Sequence, residues 1–267
     1  DGRMHWFRGD RDYASLPDDY ASYNDRTIGD GAPFVRSVGS GGEDGVLWAL
    51  SEARLLTGTS SFEAVIAASE FDGPLTPTDY TVRKPSRRGC ADVQAIPHDD
   101  GIFFVQRSRK KLYEIAMGTS GRFASTNISR LNPEAFRSGI KRIAVQQQPD
   151  TRCYCYMDDG SVTVMTWERE DKVAAITSIS IAGGAIEDIV TMPMTDQDDI
   201  YLIVNRGGQR YQERFAKEDQ QWDVDTCALL DGHKVLTGSI SQITGADRFA
   251  SETVQVWADG QRRDDGD

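Results

Sequence analysis

A chain of 267 residues, 39% hydrophobic and 27% charged, can bury the core of one large or two modest domains, and it contains no run near the roughly 20 apolar residues of a membrane-crossing helix. Its net charge of −12 opposes a general grip on nucleic acid, where Lys and Arg must displace counterions from phosphate, yet suits a surface that DNA passes by like-charge repulsion. Four cysteines without a C-x-x-C pair exclude a disulfide scaffold and give no zinc signature, so the thiols read as small apolar residues in a reducing compartment.

Residues 3–7 read as a strand without the strand before it, the expectation for a piece of a longer chain, and 3–16 as an unpartnered hairpin. An acidic, Tyr-rich passage follows, punctuated by Pro17, Gly29, Gly31 and Pro33. It predicts a long loop over 8–45, with one short strand near 34–38 and a role as a contact surface. From Val46 a repeat begins. Strands are predicted at 46–50, 54–58 and 62–68, then at 93–96, 102–106 and 111–116. The third round is 140–146, 152–157, 161–168 and 174–180, and the fourth is 186–192, 200–206 and 209–215. The hairpin IFFVQRSRKKLYEIA is the clearest unit, with Leu112, Glu114 and Ala116 on one strand face and Tyr113 and Ile115 on the other.

First strands recur roughly every 47 residues, the spacing of β-propeller blades, whose two apolar faces only neighbouring blades can cover. The fold expected is therefore all-β, a β-propeller-like array of antiparallel four-stranded meanders. A β-sandwich is the alternative. Trp48, Phe103, Phe104, Trp167 and Tyr201 are the expected packing residues between blades. Between rounds, NPEAFRSG predicts a brief helical turn, with Asn132 as cap, Pro133 at the first position and Gly139 as stop. The propeller-like domain spans 1–225, and 226–267 is a partial second β element.

Chemistry-bearing residues are sparse. His5 falls in a strand, His98 and His233 in turns, and no G-x-S-x-G elbow supports a nucleophile. Asp196–Asp199 and Asp264–Asp267 lack the spacing of a calcium loop and read as solvated turns. The densest charge feature is basic: Arg83, Lys84, Arg87 and Arg88, placed on a loop by Pro85 and Gly89, with the turn tip carrying Arg107, Arg109, Lys110 and Lys111 beside them. On an acidic chain this group fits the acid of a neighbouring surface or a phosphate. The matching early acids are Asp12, Asp18, Asp19 and Asp25. No catalytic, metal-ligating or cofactor-binding residue is predicted.

The runs LWALSEARLLTGTSSFEAVI, PLTPTDYTVRKPSRRGCADVQ and GIFFVQRSRKKLYEI, followed by AVQQQPDTRCYCYMDDGSVTVMTWERE, RYQERF and ETVQVWADG, resemble the central region of a family of tailed-phage structural proteins. That family is the tail nozzle, or tail tubular, kind. The turn at Arg107–Lys110 departs from it, since relatives tend to carry a glycine there. The resemblance implies a non-enzymatic subunit of a virion tail, assembled in the host cytoplasm. It implies copies in a ring, commonly six, that connect the head–tail adaptor to other tail proteins and continue the DNA channel, with passing DNA touched non-specifically if at all. The other class expected is a receptor- or glycan-binding propeller on the tail, because Tyr and Trp gather near 13–23 and at 222.

Overall fold

The computed structural model describes residues 2–24, 27–39, 44–52, 54–70, 73–99, 101–118, 121–169, 171, 173–181, 183–217, 238–239, 241–242, 256–258 and 261–263. The strands are β1 His5–Arg8, β2 Arg11–Ala14, β3 Phe34–Ser37, β4 Val46–Ser51, β5 Leu55–Thr59, β6 Glu63–Ala67 and β7 Thr81–Ser86. They continue as β8 Ile96–His98, β9 Gly101–Val105, β10 Leu112–Met117, β11 Phe123–Asn127, β12 Ile140–Gln146, β13 Arg152–Met157, β14 Val162–Glu168 and β15 Val173–Ile179. Last come β16 Ala185–Met192, β17 Asp199–Arg206, β18 Gln209–Arg214, β19 Val256–Ala258 and β20 Gln261–Arg263. The chain is all-β, and every described pairing is antiparallel.

Five meanders follow one another: β1–β3, β4–β7, β8–β11, β12–β15 and β16–β18, with β19 and β20 as a separate hairpin. They stack face to face in chain order. Ala14 and Phe34 of the first sheet meet Phe62, Ala64 and Ile66 of the second. The other face of the second sheet, with Trp48, Leu56 and Val65, packs on Ile102, Phe104, Tyr113 and Ile115 of the third. Phe103, Val105 and Leu112 point the opposite way, onto Ile143, Val145, Cys153, Cys155 and Met165 of the fourth. Tyr154, Tyr156 and Val164 then cover Ile186, Ile189, Leu202 and Val204 of the fifth. A sheet covered on both sides needs apolar residues at both parities. Ile102 to Val105 is accordingly an unbroken buried run rather than an alternating one. Each such side chain taken from water contributes about 1.5–3 kcal/mol.

A recurring backbone link joins consecutive sheets. The turn between the second and third strands of a meander accepts a hydrogen bond from the chain entering the next one. Cys90 N–H donates to Thr59 O (2.7 Å), Ile140 N–H to Arg109 O (2.6 Å) and Ile186 N–H to Gly160 O (3.1 Å). In the first sheet the turn that takes this bond, from Val46 N–H to Gly9 O (2.9 Å), joins β1 to β2. The first sheet therefore holds the second, third and fourth strand positions, and no strand stands at its first position among the described residues. All these turns lie at one end of the stack, here the latch end. The connections β2–β3, β4–β5, β6–β7, β8–β9, β12–β13 and β16–β17 lie at the other, tied by Thr151 Oγ1 to Asp99 (3.0 Å) and by the Gln147 N–H to Asp198 (2.8 Å). Among the described residues, the outer faces of the first and fifth sheets have no sheet packed against them. They present Met4, Trp6 and Val35 at one side and Val190 (53% exposed), Met192 (51%) and Ile203 at the other.

Several expectations are corrected. The hairpin expected over 3–16 is β1–β2 and the short strand expected near 34–38 is β3, but the hairpin is not unpartnered: β3 pairs with β2 across the long loop, and Ala14 and Phe34 seat the resulting sheet on its covered face. Two edge strands were missed: β7, rich in Lys, Arg and Pro, and β11, the polar FASTN. Each pairs along one side only, so neither needs a strong apolar pattern. The first strand of the third sheet is Ile96–His98 rather than 93–96, with Val93 and Ala95 buried from the preceding loop. The helical turn is a short 3-10 helix, Pro133–Phe136, without a side-chain cap from Asn132. Trp167 is partly buried, and Tyr201 lies half-buried on the outward side of the last sheet, its hydroxyl 3.3 Å from Asp199. His98 is a buried strand residue. Asp198 and Asp199 are also buried rather than solvated: Asp198 accepts three backbone N–H bonds, from Gln147, Gln148 and Met194, and Asp199 faces Arg214 (3.3 Å) and Lys217 (3.7 Å). Most of 226–267, with His233 and Asp264–Asp267, lies outside the described residues, and so does Trp222.

Candidate interaction surfaces

The basic residues divide into two groups. Arg83 and Lys84 stand in edge strand β7, not in a loop, because Arg83 pairs with Val65 in the sheet ladder. Lys84 folds back so that Nζ lies 3.7 Å from the centre of the Phe62 ring, a cation held against an aromatic face. Arg87 and Arg88 lie in the connection to the third sheet, at the latch end. The β9–β10 turn reaches them there: Gln106 Nε2 donates to Arg88 O (3.2 Å) and Arg107 N–H to Gly89 O (3.1 Å). The predicted meeting of the two basic segments is thus made by backbone bonds. The Arg88 guanidinium sits 4.8 Å over Tyr113.

Arg109 departs from the group. Its Nε donates to Ile140 O (2.9 Å), and its terminal nitrogen lies 2.5 Å from Asp158, so it belongs to the joint between the third and fourth sheets. Arg87, Arg107, Lys110 and Lys111 are exposed, and none has a carboxylate within ion-pair distance among the described residues. Asp92 is the one acid in the same two loops. Other acids at this end are engaged: Asp10 by the Ser37 hydroxyl and Asp159 by Ser161, whose hydroxyl bond holds the Asp159 carboxyl below its ordinary range.

The predicted acidic partner surface does not survive as one loop. Asp12 is 0% exposed in β2, where His5 Nδ1 lies 3.0 Å from both its oxygens and the Tyr80 hydroxyl donates to it at 3.0 Å. Burial and that carboxylate push the Tyr80 phenol well above its usual range. Asp18 and Asp19 are exposed, but in the β2–β3 connection at the end opposite the latch. Asp25 lies outside the described residues.

Three buried acids face the joints, Asp12, Glu63 and Glu114; sequence reasoning read Asp12 as a surface acid and Glu114 only as a strand-face residue, and gave Glu63 no role. Glu63 accepts a short hydrogen bond from the Ser86 hydroxyl and lies beside the Cys90 thiol at 3.9 Å. Burial raises its carboxyl above the ordinary range, and it pushes the Cys90 thiol up as well. Burial also disfavours ionised Glu114, but His98 (Nε2 at 3.2 Å) and Arg169 (2.5 Å) outweigh it and hold the carboxyl below the ordinary range. Trp167 Nε1 donates to the same oxygen at 3.0 Å. The signal was legible in FEAVI and LYEIA, where one carboxylate interrupts an apolar strand. Asp12 and Glu114 are held by partners across sheet joints and Glu63 by Ser86 of its own sheet, and no activated nucleophile accompanies them among the described residues. Cys90, Cys153 and Cys155 are buried and unbridged, the last two with sulfurs 4.0 Å apart.

A second surface is aromatic. On the outward face of the first sheet Trp6 stacks on Tyr13 (centroids 4.1 Å, planes 12° apart), and Tyr23 meets Trp6 edge-on at 6.2 Å.

No known protein family matches the chain, and no curated protein matches its sequence. Among solved structures, AofleA from Arthrobotrys oligospora is similar over 80% of this chain and 68% of that one, at 10% identity and a TM-score of 0.35. A likeness that remote carries no argument about fold or function.

Proposed function

We propose that the chain is a non-enzymatic structural subunit of a phage tail, a propeller-like wall element of the nozzle ring that joins the head–tail adaptor to other tail parts. The observation that carries this reading is the contrast between interior and surface. Asp12 and Glu114 are fastened across sheet joints and Glu63 within its own sheet, while Arg87, Arg107, Lys110 and Lys111 stand exposed at the latch end without an ion-pair partner among the described residues. That is the arrangement of a rigid body that docks, not of a site that turns over a substrate. The propeller-like arrangement is supported by the serial stack, by the repeated backbone link and by the neighbouring of first strands, β8 with β12 and β12 with β16. The nozzle assignment rests on the resemblance of the quoted sequence runs. Gold labelling of the chain in electron micrographs of virions tests it: label at the tail below the head is expected, and label confined to the capsid or to the tail tip overturns it.

The second reading, a glycan- or receptor-binding element of the tail, is favoured by the Trp6–Tyr13–Tyr23 group, since sugar rings stack on exposed aromatic faces. A glycan array with the purified chain separates the two. Robust sugar binding that disappears in Trp6→Ala supports the second reading, and a blank array removes it.

A further inference from the structure

Among the described residues the exposed charge outside ion pairs is weighted by end, with Asp92 and Asp159 as the exposed acids at the basic one. At the latch end stand Arg87, Arg107, Lys110 and Lys111, with no acid paired to them among the described residues. The opposite end is the reverse. Asp19, Glu52, Glu70 and Asp196 are exposed there, in the β2–β3, β4–β5, β6–β7 and β16–β17 connections, with no cation in ion-pair range among the described residues. The cations at that end are mostly engaged: Arg152 with Asp150, Arg169 with Glu114, and Arg214 and Lys217 with Asp199, leaving Arg122 as the exposed exception. The ends lie apart by the length of a strand and face opposite ways, so one molecule cannot satisfy its own poles.

We infer that the basic latch end docks on the acidic opposite end of a second copy of this chain, head to tail. The contact is heterologous, because the two surfaces differ, and it closes into a ring or runs on according to the rotation between copies. Side-by-side copies in the same orientation would set basic end beside basic end and gain nothing from the sorting. Net repulsion between chains of charge −12 is offset only where opposite poles meet, so the orientation is selected as well as the contact. This deepens the proposed function by naming the partner of the basic end. It rests on reading that end as a protein-docking surface and not on the virion assignment, which the labelling experiment tests separately.

The test uses purified chain and two charge-reversed variants. One carries Arg87→Glu, Arg107→Glu, Lys110→Glu and Lys111→Glu. The other carries Asp19→Lys, Glu52→Lys, Glu70→Lys and Asp196→Lys. All eight positions are exposed, and unchanged circular dichroism confirms folding. Analytical ultracentrifugation is run at about 10 mM ionic strength, where screening acts over about 30 Å, and at about 0.15 M, where it acts over about 8 Å. At low salt the wild-type mass should rise with concentration, each variant alone should stay monomeric, and an equimolar mixture should associate again, since its poles are once more opposite. A wild type that stays monomeric at low salt overturns the inference. So does a mixture that fails to associate. Duplex DNA bound through the same four cations, with no self-association, also overturns it and assigns the basic end to phosphate.

Discussion

At the scale of single residues, Glu63 and Glu114 have opposite consequences for stability. Glu114 is held below the ordinary carboxylate range, so its contribution is fully present above that range and disappears as pH falls through its folded value. Glu63 is held above it, so its contribution is fully present below the ordinary range and is lost as pH rises through the raised value. Urea denaturation across pH should therefore show Glu63→Gln gaining on wild type as pH rises, with Glu114→Gln losing ground above the ordinary carboxylate range. Glu114→Ala should cost more than Glu114→Gln, by about 1–3 kcal/mol for each buried donor left unsatisfied, because Gln still accepts from Trp167. Thiols report on the same interior. Cys90, Cys153 and Cys155 should resist alkylation in the native state, and denatured, unreduced chain should take up four labels. Two labels or fewer would mean a pre-formed bridge.

Two glycines carry consequences at the scale of elements. Gly58 lies opposite Trp48 in the β4–β5 ladder, and a Cβ there would stand 2.1 Å from the indole. Gly89 has φ +73, and its Cβ would meet the Ser60 carbonyl oxygen at 2.0 Å, where backbone cannot yield cheaply. Gly89→Ala should lower stability by about 1–3 kcal/mol or more in thermal melts, combining overpacking with a left-handed backbone. It should do so more than Gly121→Ala, a positive-φ glycine with open space around it. The legibility of elements follows the same physics. Strands buried on both faces, such as β9, β10, β13 and β14, were readable because both parities are apolar. β7 and β11 escaped because an edge strand borrows its order from a neighbour. Asp12 was misread because one acid within a short polar-looking stretch does not reveal that Ala14 and Phe34 flank it in the core. The basic pair Arg83–Lys84 was placed on a loop by Pro85, although proline is compatible with an edge strand.

Over the whole molecule, the strand period was legible, but the charge polarity of the ends was not. Polarity depends on which connections share an end, and that follows only once the strands are paired. Its consequence for the purified chain is a strong dependence of self-association on salt, as the mixing experiment measures. The repeated backbone link has a separate consequence, for how this protein tolerates change. The donors are the N–H groups of Val46, Cys90, Ile140 and Ile186, and the acceptors are the carbonyls of Gly9, Thr59, Arg109 and Gly160. No side-chain identity is written into that contact, so every residue except proline can supply the donor. What the contact does fix is where the entering chain meets the turn, while the stretch between them varies, 31 residues from Thr59 to Cys90 and from Arg109 to Ile140 but 26 from Gly160 to Ile186 and 37 from Gly9 to Val46. The rounds are therefore free to drift in composition until little likeness remains, and their connections are free to drift in length as well. In a library scored for folded protein, most substitutions at these four donor positions should be mild when hydrophobic character is kept, and proline should fail. Single-residue deletions inside β6 or β10, which turn every following side chain of the strand to the other face, should be far more damaging than deletions in the connections that follow them.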